Sequence, residues 1–215
     1  MLDIVITHYN EPWRLCRKLF VMLDMQRIVN WDEITVTVVN DGGYRLPDEE
    51  LNQLSFPVRQ IEIQKSGISA ARNTGVRNTS EPFIMFCDCD DCFTNIYALD
   101  EIITAIRKPN NKLDMMFARC LTEFGRIVVP IADERQLVFI HGKVYRRQFL
   151  IETGLQFDET ITYGEDTLFN DTLADLTGKV AEIKTNAPPY VWIRRGGSVT
   201  TKGDRTHEKV YTGRG

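Results

Sequence analysis

Three carboxylates crowd into Cys87-Asp88-Cys89-Asp90-Asp91-Cys92, directly after the apolar run Pro82 to Cys87. In an extended segment, residues two apart project to the same side, so Asp88 and Asp90 are placed to share one ion. Oxygen ligands favour a hard cation such as Mg²⁺ or Mn²⁺, and a carboxylate combined with a substrate phosphate is the usual way to hold one. A solvated acidic turn would carry the same residues, and an isolated Asp-x-Asp is common. The three interleaved cysteines lack the second, separated pair that a tetrahedral zinc site draws on, so they read as free thiols beside a strand end.

Three other places carry chemistry, and two lone histidines are weighed beside them. Asp41 follows the apolar run Ile34 to Asn40 and precedes two glycines. There a carboxylate accepts the ring N–H of a base while Gly42-Gly43 lets the backbone turn tightly; Asp-Gly is also a turn signal by itself. Arg72 lies one helical turn into Ile68 to Arg77, behind Ser66-Gly67, where it clamps phosphate or is simply a surface arginine. Glu165-Asp166 follows Tyr163-Gly164 and precedes a helical pattern from Thr167 to Leu176. Two acids there serve either as helix amino-terminal charges or as a general base acting on an acceptor hydroxyl. His141 and His207 read as plain polar residues, with His207 able to close a metal shell if the tail folds back.

The elements that must position these groups alternate in the first half. Leu2 to Thr7, Ile34 to Val39, Pro57 to Ile63 and Pro82 to Cys87 are short apolar runs rich in β-branched residues. Helical patterns over Trp13 to Ile28 and Ile68 to Arg77 lie between them. Strands alternating with helices mean βαβ units, right-handed crossovers and an α/β fold whose central sheet is mostly parallel and flanked by helices. In the second half, Asp100 to Lys108 finishes a helix and Pro109-Asn110-Asn111 makes a turn. Leu113 to Glu123 and Arg126 to Ile131 suggest a hairpin around Phe124-Gly125. Arg147 to Thr153 reads as a helix, and Val180 to Lys184 and Tyr190 to Arg194 as strands, so this half is mixed. Ligands of such sheets bind beyond the carboxyl ends of the strands. Thr7 to Asn10, Asn40 to Gly43, Lys65 to Gly67 and Asp88 to Asp91 should therefore converge on one edge.

The composition suits a globular domain of ordinary size: 215 residues, 43% hydrophobic and 26% charged. A net charge of −4 and a pI near 5.5 speak against a nucleic-acid partner. No apolar run approaches the roughly 20 residues of a membrane span. The amino terminus MLDIVITHYNEP lacks the basic and apolar regions of a signal peptide. A cytoplasmic protein is the expectation, with an acceptor at a membrane surface still compatible.

Taken in order, Ile4-Val5-Ile6-Thr7-His8-Tyr9-Asn10, Val39-Asn40-Asp41-Gly42-Gly43, Gly67-Ile68-Ser69-Ala70-Ala71-Arg72-Asn73-Thr74-Gly75, Asp88-Cys89-Asp90-Asp91 and Gly164-Glu165-Asp166 resemble glycosyltransferase family 2. The segment Gly142-Lys143-Val144-Tyr145-Arg146-Arg147 is similar to one that many members carry before the catalytic acid. The match covers roughly residues 1 to 195. The resemblance implies the GT-A fold and an inverting transfer from a nucleotide-diphosphate sugar, most commonly a UDP-sugar. By position, it implies that Thr7 and Tyr9 flank the nucleobase and that Asp41 binds its ring N–H. Arg72 would reach the base or diphosphate, Asp88 would lie near the ribose, and Asp90 would hold Mn²⁺ or Mg²⁺ on the phosphates. Asp166 would be the base, supported by Glu165. The chain departs from the family's usual Pro-Thr-Tyr-Asn at Thr7-His8-Tyr9, and from Asp-Asp-Gly-Ser at Asn40-Asp41-Gly42-Gly43. The expected organisation is one GT-A domain: a nucleotide-binding half over 1–92, an acceptor-side half over 93–195 and a tail over 196–215. The acceptor class stays open among glycan, lipid-linked sugar and protein.

Two other classes compete. A nucleotidyltransferase acting on sugar phosphates would carry a glycine-rich loop with a basic residue after the first strand, and Thr7 to Pro12 has neither. A non-catalytic nucleotide-sugar-binding module would not need Asp88, Asp90 and Asp166 intact.

Overall fold

The four apolar runs of the first half form neighbouring parallel strands. These are β1 (Leu2–His8), β2 (Ile34–Asp41), β3 (Val58–Ile63) and β4 (Phe83–Asp88). β1 is buried along its whole length because it lies inside the sheet, between β2 and β4. β3 extends the sheet beyond β2. The structure is a computed structural model and describes residues 1–27, 29–108, 111–122, 127–128 and 139–193.

Side-chain alternation along these strands builds two cores. Leu2, Ile4 and Ile6 of β1, with Val36, Val38, Met85 and Cys87, face one side. There they meet helix α1 (Trp13–Asp24), whose Cys16, Leu19, Phe20 and Leu23 form one helical stripe. The short α2 (Asp48–Leu51) adds Leu51 to this core. Val5, Val39, Ile84 and Phe86 face the other side, toward α3 (Ile68–Asn78). α3 lies close on the sheet because its residues are small: a Cβ on Gly75 would stand 2.3 Å from Val5 Cγ1. α4 (Ala98–Ile106) covers the first face with α1.

α1 ends at Asp24, short of the predicted Ile28, which lies outside the described residues. The buried Gln26 explains the stop. Its amide donates to Met22 O and Asn95 O and accepts the Leu99 amide, tying the end of α1 to the start of α4.

The second half is mixed, as expected. Its strands are β5 (Cys92–Phe93), β6 (Met115–Phe117), β7 (Cys120–Thr122), β8 (Ile127–Val128), β9 (Lys143–Arg146), β10 (Val180–Glu182) and β11 (Tyr190–Trp192). The seven-stranded sheet runs β10-β6-β9-β4-β1-β2-β3, with β9 antiparallel to both neighbours. A smaller sheet runs β5-β11-β7-β8. Helices α5 (Arg147–Thr153) and α6 (Glu165–Leu176) contribute Phe149, Leu150, Phe169 and Leu173 to the core under α3.

The predicted strand over 113–123 is two strands in two sheets. The chain changes sheet at Ala118-Arg119, where the Ala118 amide bonds Gly142 O at 2.8 Å. Alternation of apolar residues cannot reveal that switch, because both pieces have the same period. The predicted hairpin survives as the antiparallel pairing of β7 with β8, and its Phe124-Gly125 turn falls outside the described residues. The turn at Pro109-Asn110, the predicted end of the last strand at Arg194 and the tail over 196–215 also lie outside them. No helix among the described residues is long and apolar enough to cross a membrane.

Candidate active site

Because β1 to β4 are parallel, the polar residues that follow them do meet at one edge. Thr7 lies opposite both Val39 and Asp88, and Asp41 opposite Ile63. His8 Nδ1 is 2.7 Å from Asn40 Oδ1, joining the ends of β1 and β2. Gly43 approaches Asn10 so closely that a Cβ would sit 2.6 Å from its Oδ1.

Asp41, at the end of β2, is 3% exposed. Its carboxylate accepts the Ser66 amide at 2.7 Å, the Gly67 amide at 3.0 Å and the Lys65 ammonium at 2.7 Å. Gly42 makes this turn with φ +75°, and a Cβ there would lie 2.5 Å from Lys65 N, so the β2 and β3 loops touch through main chain. Lys65 Nζ also lies 3.2 Å from the centroid of the half-exposed Tyr9 ring.

The acidic segment turns where an extended run was expected: the Asp91 amide bonds Asp88 O at 3.1 Å. That turn brings Asp91 to Asp88, and His141 joins them. His141 Nε2 stands 3.3 Å from Asp88 Oδ2 and 3.2 Å from Asp91 Oδ2. The ligand atoms of the three lie within 4.8 Å of one another. Burial disfavours the imidazolium, but Asp91 and Asp88 outweigh it and push the His141 pKa up to about 10. The ring stacks on Tyr190 and Trp192, with centroids 5.9 and 5.7 Å away.

Asp91 is almost fully buried, and burial raises its pKa despite His141. It accepts the Tyr190 hydroxyl at 3.2 Å and the Ile193 amide at 2.8 Å, anchoring β11. Asp90 stands half-buried on the turn between the two paired acids. Of the cysteines, Cys16, Cys87, Cys89 and Cys120 are buried free thiols and Cys92 is half-buried and free.

Asp88 also accepts the Thr7 hydroxyl at 3.0 Å and Arg72 Nη2 at 3.3 Å. Burial would raise its pKa; Arg72, His141 and Thr7 together hold it well below the usual carboxylate range. Arg72 is 2% exposed and is not the surface arginine that its helical position also allowed. Its Nη1 donates to Glu165 Oε1 at 2.7 Å, so one guanidinium joins the end of β4 to the first turn of α6. The next residue extends that link: Asn73 exchanges hydrogen bonds with the Phe157 backbone in both directions, each 2.9 Å. The Ser69-to-Gly75 motif thus divides its labour between small residues against the sheet and polar ones across the cleft.

α6 begins at Glu165, two residues before the predicted start, after Gly164 at φ +79°. Asp166 is therefore in the first helical turn, half-buried, with Oδ1 accepting the Thr167 amide at 2.8 Å. Lys143 opens β9 at the same edge. It is fully buried, and its Nζ has no hydrogen-bond partner among the described residues. Burial lowers its pKa to about 7, with Asp166 opposing.

The structure thus brings together Thr7, Arg72, Asp88 and Glu165, with Asp166 adjacent, and separately Tyr9 with Asp41. His207, the further metal-ligand candidate, lies outside the described residues. Sequence reasoning placed Lys65 and Asp91 at this edge without their partners, and it missed His141 and Lys143 as members of it. The missing signal for the last two was strand direction: an antiparallel strand such as β9 enters, and does not leave, at the ligand edge.

Comparison with known proteins agrees with this architecture. The glycosyl transferase family 2 model matches residues 3–150. The minor teichoic acid biosynthesis protein GgaA of Bacillus subtilis is 30% identical over 198 residues, 80% of this chain and 43% of that protein. The crystal structure of S. aureus TarS 1–349 in complex with UDP-GlcNAc superposes with a TM-score of 0.77 at 20% identity, over 93% of this chain and 60% of that one. The mannosyltransferase PcManGT of Pyrobaculum calidifontis, in complex with GDP-Man and Mn²⁺, gives a TM-score of 0.66 at 17% identity, over 90% and 56%. The chain spans less than two thirds of the length of each. With its GT-A fold, the chain belongs to glycosyl transferase family 2.

Proposed function

We propose that this chain is an inverting glycosyltransferase that moves a sugar from a UDP-sugar to an acceptor hydroxyl, assisted by Mn²⁺ or Mg²⁺. The observation that carries the reading is the Arg72 bridge. One buried guanidinium holds Asp88, on the nucleotide side, and Glu165, beside Asp166 on the other side. The UDP-GlcNAc held by TarS and the nucleotide sugar held by PcManGT support a donor of this class.

In this reading Thr7 and Tyr9 flank the base, Asp41 accepts its ring N–H and Asp88 takes a ribose hydroxyl. Arg72 aligns Asp88 from behind, and its charge favours the diphosphate nearby. A hard cation suits Asp90, an oxygen donor on the turn next to Asp88, which already holds three protein donors. The Asp88–Asp91–His141 group suits it less, since two carboxylates hold His141 as an imidazolium that a cation must deprotonate. When bound, the cation would act as a Lewis acid on the departing diphosphate. Asp166 takes the proton of the acceptor hydroxyl as that oxygen bonds the anomeric carbon from the face opposite the leaving group, which inverts the centre. The enzyme acts in the cytoplasm, on a glycan, a lipid-linked sugar or a protein.

Turnover of UDP-sugars with Mn²⁺, followed by NMR of the product's anomeric proton, tests the proposal. A β-linked product from an α-linked donor is expected. Retained configuration overturns the mechanism, and donor hydrolysis or transfer under no condition overturns the activity.

A further inference from the structure

We propose that Lys65 is a built-in competitor for the nucleobase subsite, holding with its ammonium the same two groups that the donor's base must engage. The proposal rests on the reading of Tyr9 and Asp41 as base-binding residues. A base stacked on the covered face of Tyr9 and donating a ring N–H to Asp41 needs what Lys65 Nζ occupies, 3.2 Å from the ring centroid and 2.7 Å from Asp41 Oδ2. Asp41 has little capacity to spare. The Ser66 and Gly67 amides already take part of its acceptor capacity, at 2.7 and 3.0 Å, and Lys65 takes more.

Main chain and side chain differ in their freedom to yield. The Lys65 backbone is pressed against Gly42, where even a Cβ would be 2.5 Å from Lys65 N, so it stays in place. The side chain is half-exposed on a flexible four-carbon stem, so the ammonium swings into water when a base arrives. The backbone thus tethers a cation permanently within reach of the subsite, and occupancy by base or ammonium becomes a direct exchange. What the exchange costs is an exposed cation–π contact and a partly exposed ion pair, which together weaken base binding about three- to thirty-fold.

Titration of uridine, which carries no phosphate, isolates this effect from attraction between Lys65 and a diphosphate. Lys65→Met keeps the stem and removes the charge, and it is expected to bind uridine about three- to thirty-fold more tightly than the wild type. Lys65→Arg, whose planar cation also stacks on an aromatic ring, should stay at wild-type affinity or below. Added salt should tighten uridine binding in the wild type and leave Lys65→Met unchanged, because it screens the Lys65–Asp41 pair. Equal or weaker binding by Lys65→Met overturns the proposal, as does uridine binding by neither form. Asp41→Ala measured with UDP tests the subsite separately: unchanged UDP affinity there rejects the base-pocket reading itself, whatever Lys65→Met does.

Discussion

Asp166 has two roles to choose between at the start of α6, and a single substitution separates them. Its Oδ1 accepts the Thr167 amide, which any helix-terminal acid or amide can do. Asn keeps the size and the hydrogen bond and removes the basicity. Asp166→Asn should lower turnover by about 10²–10⁴-fold while donor affinity stays level, measured by steady-state kinetics and UDP titration. Near-normal turnover would leave Asp166 a helix-terminal residue only. Lys143 makes a different kind of prediction. Burial lowers its pKa from the ordinary lysine value of 10.5 to about 7, so the folded chain carries the cost of a buried ammonium in full below about pH 7. Between there and 10.5 the unfolded chain binds the extra proton, so this cost fades as pH rises. Lys143→Met should therefore raise stability by about 1–4 kcal/mol at pH 6, with the gain shrinking toward pH 10, as read from urea unfolding. A gain independent of pH would reject the assignment to the ammonium. The residue types Asp41, Asp88 and Asp166 were legible as chemistry in sequence. Their partners were not: Arg72 reaches Glu165 across 93 positions, a pairing no local spacing encodes.

At the scale of elements, the first half was readable because period and burial agree there. Runs such as Ile4-Val5-Ile6 are apolar on both faces since α1 covers one and α3 the other. The closeness of α3 depends on Gly75. Gly75→Ala brings about 1 kcal/mol of helix propensity, yet places a methyl 2.3 Å from Val5 Cγ1 in a strand buried on all sides. A net loss of about 1 kcal/mol or more is expected, seen as a lower urea midpoint with an unchanged slope. An unshifted midpoint would mean that Val5 yields by changing rotamer. The second half was less readable because its elements are short and change sheet. β6 and β7 are three residues each, separated by Ala118-Arg119, where the Ala118 amide bonds Gly142 O. α6 starts two residues early because Gly164 adopts a left-handed φ that frees Glu165 and Asp166 to enter the first turn.

For the whole molecule, donor binding should appear as stability, because a ligand of the folded state alone raises the melting temperature. UDP at about 100 times its Kd should add about 2.7 kcal/mol. Mn²⁺ should increase the UDP shift in the wild type and leave that of Asp90→Ala unchanged, read by thermal shift with and without chelator. Equal metal dependence in the two proteins would remove Asp90 from the metal site. By itself the sequence determined the α/β class, the parallel order of elements, and the convergence of four polar loops at one edge. Those follow from local periodicity plus the handedness and strand-end rules of parallel sheets. Only the tertiary structure decided that Asp88 turns toward Asp91, and that His141 and Lys143 enter at the same edge. It alone decided, too, that Lys65 lies on Tyr9. These depend on the direction of β9 and on side chains from distant segments competing for the same carboxylates. Such choices are settled by burial and pairing in three dimensions, where neither spacing nor composition has a say.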